Sequence, residues 1–235
     1  MAKHGNRALT SRCGSADVLE ALGVAVQQSP DAAVASLRET GFSFLFAPTS
    51  HPAMRRVQPV RRVLPFRTIF NLAGPLTNPA GAPAQVVGVY APNRVALVAE
   101  TMAALGTRYG IVVHGSDGLD ELTVTGPSAM ALVRNGVIEY QTIHPEQLGL
   151  PIAPLSALEG GTTAAANAEI LLGVFRGERG ARRDVVVLNA AAALMAAGKT
   201  ADLRSGMELA AAAIDTGVVL DRLERLQKLA GALRT

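Results

Sequence analysis

Residues 85–121 read QVVGVYAPNRVALVAETMAALGTRYGIVVHGSDGLDE. The run QVVGVY, 85–90, is apolar and β-branched and stops at a proline-containing turn, which is the composition of a strand. A helix is predicted over roughly 92–105, and YGIVVHG, 109–115, reads as a second strand. Strand, helix and strand in so short a span predict a parallel pair joined by a crossover helix, the unit from which α/β folds are built.

Working upstream, SPDAAVASLRETG carries its own helix signals. Ser29 can cap, Pro30 suits the first turn and Gly41 the end, so a helix is predicted over 30–40. SFLFAP, 43–48, reads as a strand. HPAMRRVQPVRRVL reads as a helix interrupted at Pro59, because proline lacks an N–H and crowds the preceding turn. FNLAGPLTNPAGAPA reads as loop. Downstream, ELTVTG and AMALVRNGVIEY, with the Asn135–Gly136 step, predict an antiparallel ribbon with a tight turn. From about 164 the pattern is helical, in four runs that end with an amphipathic stretch from Val218 to Leu233. The whole is α/β: a central mixed sheet flanked by helices, with Gly- and Asn-rich loops at the strand ends, where such folds bind ligands.

The composition narrows the function. At 235 residues the chain suits one large domain or two small ones. Its 49% hydrophobic and 17% charged residues describe a folded chain with a core rather than a disordered one. A net charge of +3 is too small and too evenly spread to indicate nucleic-acid binding, and an anionic small substrate suits it as well. The single cysteine, Cys13, rules out a disulfide framework. The amino terminus lacks a secretory pattern, and no uncharged apolar run reaches the roughly 20 residues needed to cross a bilayer. The expectation is a soluble cytoplasmic protein.

Three stretches can carry chemistry. KHGNRALTSRCGSADVLEALG combines Lys3, His4 and Arg7 with a neutral donor, Asn6, and with Gly5, which lets backbone approach a ligand. Ser11 and Ser15 precede a helix whose amino end favours anions, so the parts are those of a phosphate site; the alternative is a basic strand end followed by an ordinary helix capped by Ser15. HPAMRRVQPVRRVLPFRTIFNLAGPLTNP gathers Arg55, Arg56, Arg61, Arg62 and Arg67. One of these could hold a carboxylate through two parallel hydrogen bonds, or all could form a solvated face, and spacing alone selects none. VVHGSDGLDEL places Asp117, Asp120 and Glu121 after an apolar strand, where they can reach a hard cation or can be the solvated acids of a turn. His114 reads as structural.

These stretches, in this order, resemble the anthranilate phosphoribosyltransferase family of the nucleoside-phosphorylase-like phosphoribosyltransferase class. KHGNR with GSADVLEALG, FLFAP with HPAM, RTIFNLAGPLTNP, HGSDGLDE and DVVVLNAAAAL are similar to its blocks, and the likeness covers essentially the whole chain. The resemblance implies the large α/β domain of that class over residues 1–235. It also implies transfer of phosphoribose from 5-phosphoribosyl 1-pyrophosphate to anthranilate in tryptophan biosynthesis. Lys3, His4, Gly5, Asn6, Arg7, Ala8, Leu9, Thr10 and Ser11, with Ser15, resemble the loop that holds phosphoribosyl pyrophosphate. Asn6 and Arg61 match anthranilate contacts, Arg61 as the carboxylate partner, with His4 and Pro75 lining the same path. Asp120 and Glu121 match the Mg²⁺ ligands, no covalent nucleophile is implied, and Cys13 is a bystander. Members of the family are homodimers.

The resemblance also raises expectations by difference. Family members carry, ahead of KHGNR, a helical bundle and a Gly-rich loop of the form GTGGD. The chain here is expected to begin late, with Lys3 in a frayed terminus. The segment 52–65 is expected to expose Met54 and Val60, which the bundle would cover, and the chain by itself is expected to be weakly active or silent. Thr49–Ser50 and Ala73 stand where larger residues are usual. Two other readings are a relative that binds nucleic acid through clustered Lys and Arg, which would not require Asn6, Arg61 and Asp120–Glu121, and a pyrimidine nucleoside phosphorylase, which HPAM and GPLTNP disfavour.

Overall fold

The structure, a computed structural model, describes residues 1–7, 13–57, 59, 63–64, 66 and 68–232, without the Arg55 side chain. The chain opens with strand β1, Ala2–Gly5, and helix α1, Ser15–Ala21. The start of α1 corrects the expected cap. Gly14, not Ser15, is the extended residue before the helix, and the Asp17 carboxylate turns back to accept from the Gly14 N–H at 2.9 Å. Helix α2, Pro30–Thr40, begins and ends as predicted. Ser29 Oγ accepts from the Ala32 N–H at 3.2 Å, and Gly41 closes the helix at φ +73°.

Strand β2, Ser43–Phe46, is shorter than predicted. Pro48 cannot donate to a sheet, and Ala47–Ser50 forms a helical turn instead, closed by Thr49 Oγ1 donating to the Phe46 carbonyl at 2.8 Å. Pro52–Arg56 is a 3₁₀ turn rather than the start of a long helix, and Met54 is half-buried. Val60 lies outside the described residues.

Helix α3, Phe70–Leu76, replaces an expected loop. Its Gly, Pro and Asn content reads as a turn, but Asn71 Oδ1 accepts from the Thr68 N–H at 2.9 Å, and Pro75 sits in the last turn, where its missing donor removes one hydrogen bond.

Strand β3, Ala84–Gly88, a 3₁₀ turn at Pro92–Arg94, helix α4, Val95–Ala104, and strand β4, Tyr109–Gly115, form the predicted crossover. Strands β5, Ser128–Arg134, and β6, Val137–Ile143, form the predicted hairpin, with Asn135 at φ 48° and Gly136 at φ 85°. ELTVTG is not a strand; it is an irregular segment in which Leu122, Thr123 and Val124 are buried. Helices α5, Ala164–Phe175, α6, Ala181–Ala196, α7, Leu203–Asp215, and α8, Val218–Ala232, complete the chain. No helix among the described residues is long and apolar enough to cross a membrane.

The chain divides into two compact units, so the α/β reading holds, with the described strands in two sheets. The first unit comprises Met1–Gly81, Gly160–Phe175 and Gly217–Thr235. Its sheet pairs β1 with β2 in parallel, Ala2 opposite Ser43 and Gly5 opposite Phe46. Phe44 and Phe46 pack with Ala16 and Val26, and Leu22 and Val24 pack with Ala168, Leu223 and Leu226. The second unit comprises Ala82–Glu159 and Arg176–Thr216. Its sheet runs β3-β4-β5-β6, parallel between β3 and β4 and antiparallel beyond. Ile111, Val113, Met130 and Leu132 from this sheet meet Leu188, Ala191, Ala192 and Met195 of α6 in one core.

Helices α6 and α7 touch through small residues. A Cβ on Gly206 would lie 2.8 Å from Ala191 Cβ and 3.0 Å from its carbonyl oxygen. Gly206→Val therefore separates the helices, and a loss of about 1–3 kcal/mol is expected in urea unfolding. Gly231→Ala is the control: no atom lies within 4 Å of the added methyl, and stability holds or rises.

Candidate active site

In the first unit, the amino-terminal loop starts from a fixed base. Lys3 is paired opposite Phe44 in the parallel sheet, which corrects the expected frayed terminus, and Asn78 Nδ2 donates to the Ala2 carbonyl at 3.1 Å. Gly5 is required by packing. A Cβ there would meet the Phe44 ring at 2.9 Å and stand 3.5 Å from Ser15 Oγ, so backbone, aromatic ring and hydroxyl already crowd one point. Asn6 Oδ1 accepts from the Arg7 N–H at 2.8 Å. The Arg7 guanidinium donates to Glu20 at 2.6 Å, lies 3.9 Å from Asp17 and stands over the Phe46 ring at 5.5 Å, so its position is set by α1 and β2 together. Ala8, Leu9, Thr10, Ser11 and Arg61 lie outside the described residues.

His4 and His51 meet with their Nε2 atoms 3.1 Å apart, rings edge to face. One nitrogen of such a pair donates and the other accepts, so a second proton in the contact breaks it. The Gly74 backbone also hydrogen-bonds His4. Burial pushes the His4 pKa down, the His51 charge pushes the same way, and the Gly74 bond opposes both. His51 has no role in the sequence reading beyond its place in HPAM, and only the pairing of β1 with β2 reveals it as the partner of His4.

In the second unit, β4 ends at Gly115 and the chain turns through 116–127 into β5. Asp117 anchors this turn, accepting from the Leu119 N–H at 3.0 Å, Thr123 Oγ1 at 2.5 Å and Thr125 Oγ1 at 2.7 Å. Burial pushes its pKa up, but those hydrogen bonds to the carboxylate outweigh it and hold the pKa below the ordinary range. Asp117 is therefore a structural acid. His114 is structural as well, its buried ring donating from Nδ1 to the Val89 carbonyl at 2.8 Å.

Asp120 and Glu121 are exposed, and the Asp120 carboxylate has no hydrogen-bond partner among the described residues. A Cβ on Gly88 would lie 1.7 Å from the Asp120 carbonyl oxygen, so β3 supports the loop at bare backbone. On the other side, Asn189 of α6 accepts from the Leu122 N–H at 3.0 Å and donates to the Leu122 carbonyl at 2.7 Å. Two adjacent, solvent-facing carboxylates on an anchored loop fit Mg²⁺, which takes one or two carboxylates and fills its shell with water and substrate phosphate. The described residues contain no group of three or more His, Cys, Asp or Glu able to hold a metal by themselves.

A family model for the glycosyl transferase family, a/b domain, matches residues 1–220. Anthranilate phosphoribosyltransferases of Rubrobacter xylanophilus and Thermomicrobium roseum are each 52% identical, the matches covering 99% of this chain and 68% of those proteins. The chain belongs to the anthranilate phosphoribosyltransferase family. Among solved structures, the family member from Thermus thermophilus superposes with a TM-score of 0.91 at 46% identity, over all of this chain and 68% of its own. The Saccharomyces cerevisiae member, in complex with PRPP and Mg, does so with a TM-score of 0.88 at 26% identity, over 98% of this chain and 65% of its own. The nucleic-acid-binding alternative gains no support from these relatives.

The histidine pair gives a measurable pH response. With the folded pKa of His4 lowered and the unfolded value near 6.5, the unfolded chain binds more protons in the interval between them. Stability is full above about pH 6.5 and falls as pH drops toward the folded value. In ¹H–¹³C NMR, His4 is expected to titrate below 6.5 and to move upward in His51→Gln, where the neighbouring charge is gone but burial remains. An unchanged His4 titration in that variant contradicts the pairing.

Proposed function

We propose that this chain transfers phosphoribose from 5-phosphoribosyl 1-pyrophosphate to the amine of anthranilate, a step of tryptophan biosynthesis, within a single catalytic α/β region. The observation that carries the proposal is the match to anthranilate phosphoribosyltransferases, at 52% identity over 99% of this chain and with a TM-score of 0.91 to a solved member. The C1–O bond to pyrophosphate breaks, the C1–N bond to anthranilate forms, and the amine gives up a proton. The ribose passes through an oxocarbenium-like state while negative charge grows on the leaving group, so pre-positioned cations and donors lower the barrier.

Lys3, Gly5, Asn6 and Arg7, continuing through Ala8, Leu9, Thr10 and Ser11 to Ser15, are assigned to the phosphoribosyl substrate. The close packing at Gly5 supports this, because it leaves backbone and the Ser15 hydroxyl near a bare Cα. Asn6 and Arg61 are assigned to anthranilate, Arg61 to its carboxylate, with His4 and Pro75 beside the ring. The contact of His4 with Gly74 supports that grouping. Asp120 and Glu121 are assigned to Mg²⁺, which when bound would offset charge on the diphosphate. An aromatic amine is already nucleophilic, so these side chains supply position and electrostatics and none attacks the sugar.

The paired substitution Asp120→Asn/Glu121→Gln is expected to remove the Mg²⁺-dependent part of phosphoribosyl pyrophosphate binding in calorimetry, and any Mg²⁺-dependent loss of anthranilate fluorescence. Unchanged binding would remove the metal assignment. Arg61→Ala is expected to weaken anthranilate by roughly 10- to 100-fold, the value of a charged hydrogen bond, while sparing the phosphoribosyl substrate. A change confined to that second substrate contradicts the role.

A further inference from the structure

We infer that Asn189 is a positioning residue for the acidic pair: its side-chain amide clamps the peptide group next to Glu121 and so sets where the Asp120 and Glu121 carboxylates stand. The inference rests on the assignment of those two carboxylates to Mg²⁺.

Asn189 lies in the interior of α6, in the run VVVLNAAAAL, where it is the single polar residue. Asparagine there is unfavourable for the helix itself, because its amide competes with backbone hydrogen bonds. Its partners account for its presence. Oδ1 accepts from the Leu122 N–H at 3.0 Å, and Nδ2 donates to the Leu122 carbonyl at 2.7 Å and to the Val185 carbonyl at 2.9 Å. Both polar groups of residue 122 are thus taken by one side chain, as a neighbouring strand would take them, in a segment that pairs with no strand among the described residues. The Leu122 side chain is fully buried in the core that contains Leu188 and Ala192, on either side of Asn189.

The acidic pair is held from both directions. Between the two acids, the Asp120 carbonyl rests against bare Gly88. On the carboxyl side, the next residue after Glu121 is fixed by Asn189, and the Thr123 N–H is taken by Ser128 Oγ at 2.9 Å. Glu121 alone lies between the Asp120 carbonyl and the Leu122 N–H, so the backbone that carries it is held at both ends. Mg²⁺ demands near-ideal octahedral geometry, and this makes backbone placement a determinant of affinity as well as of stability.

The test uses Mn²⁺ as probe, its binding read by electron paramagnetic resonance, with amide hydrogen exchange of Leu122 followed in parallel. Asn189→Ser removes the clamp, and the isosteric Asn189→Asp loses its donor while keeping helix and packing volume. Both are expected to speed exchange of the Leu122 amide and to weaken Mn²⁺ by roughly tenfold or more, as loss of an outer-shell partner does. Met195→Ala, in the same helix and core, is expected to lower the unfolding midpoint and leave Mn²⁺ affinity unchanged. If the Asn189 variants bind Mn²⁺ as the parent does, or lose no more than Met195→Ala, the clamp is structural only and the inference is overturned. If Asp120→Asn/Glu121→Gln binds Mn²⁺ as the parent does, the metal assignment itself fails and the inference falls with it; that result is distinct from failure of the clamp alone.

Discussion

Burying Leu122 and Val124 outside any strand takes peptide N–H and C=O groups away from water, and each needs a partner. A sheet would supply those partners automatically. Here scattered partners supply them: Asn189 takes both groups of Leu122, Ser128 takes the Thr123 N–H, and the Ala153 N–H donates to the Val124 carbonyl, while Asp117 ties the loop through the Leu119 N–H and two threonine hydroxyls. The consequence is an irregular loop as fixed as the strand it leaves, carrying two charged side chains at its exposed crest. Asp120 and Glu121 are both exposed there.

The first unit meets a related demand differently. Only two described strands, β1 and β2, pair there, and the pairing is short. Its weight is carried by side chains that reach across it: the Phe44 ring under Gly5, the Arg7 guanidinium over Phe46, and His4 against His51. Each contact joins the amino-terminal segment to β2 or to the stretch that follows it, so residues some forty positions apart form one corner. The same corner holds Lys3, His4, Asn6, Arg7 and Ser15, some of the residues that the family resemblance assigns to substrate, and glycine at position 5 is what allows ring, hydroxyl and backbone to approach together.

Much of this was legible in the residues. The crossover from β3 to β4 announced itself through two apolar β-branched runs around a helical one, and the hairpin through Asn135–Gly136, because local sterics govern both. Helix α2 was readable to the residue from Ser29, Pro30 and Gly41. The misread elements share a cause. FNLAGPL looks like a loop by composition yet is helical, and ELTVTG alternates like a strand yet pairs with none, because in each case the deciding partner is remote or positional. Asp117 and Asp120 are likewise identical in type and three residues apart, and only the hydroxyls of Thr123 and Thr125 make one structural and leave the other exposed.

By itself the sequence determined the class of fold, the order of most elements and the family, since these depend on periodicity, turn chemistry and runs of residues that survive without knowledge of contacts. The tertiary structure alone decided that His51 faces His4, that Gly88 must stay bare beneath Asp120, and that an asparagine 67 residues away holds Leu122. Hydrogen bonds and steric approach between distant segments leave no periodic trace along a chain; they exist only once the backbone has brought both partners to the same place.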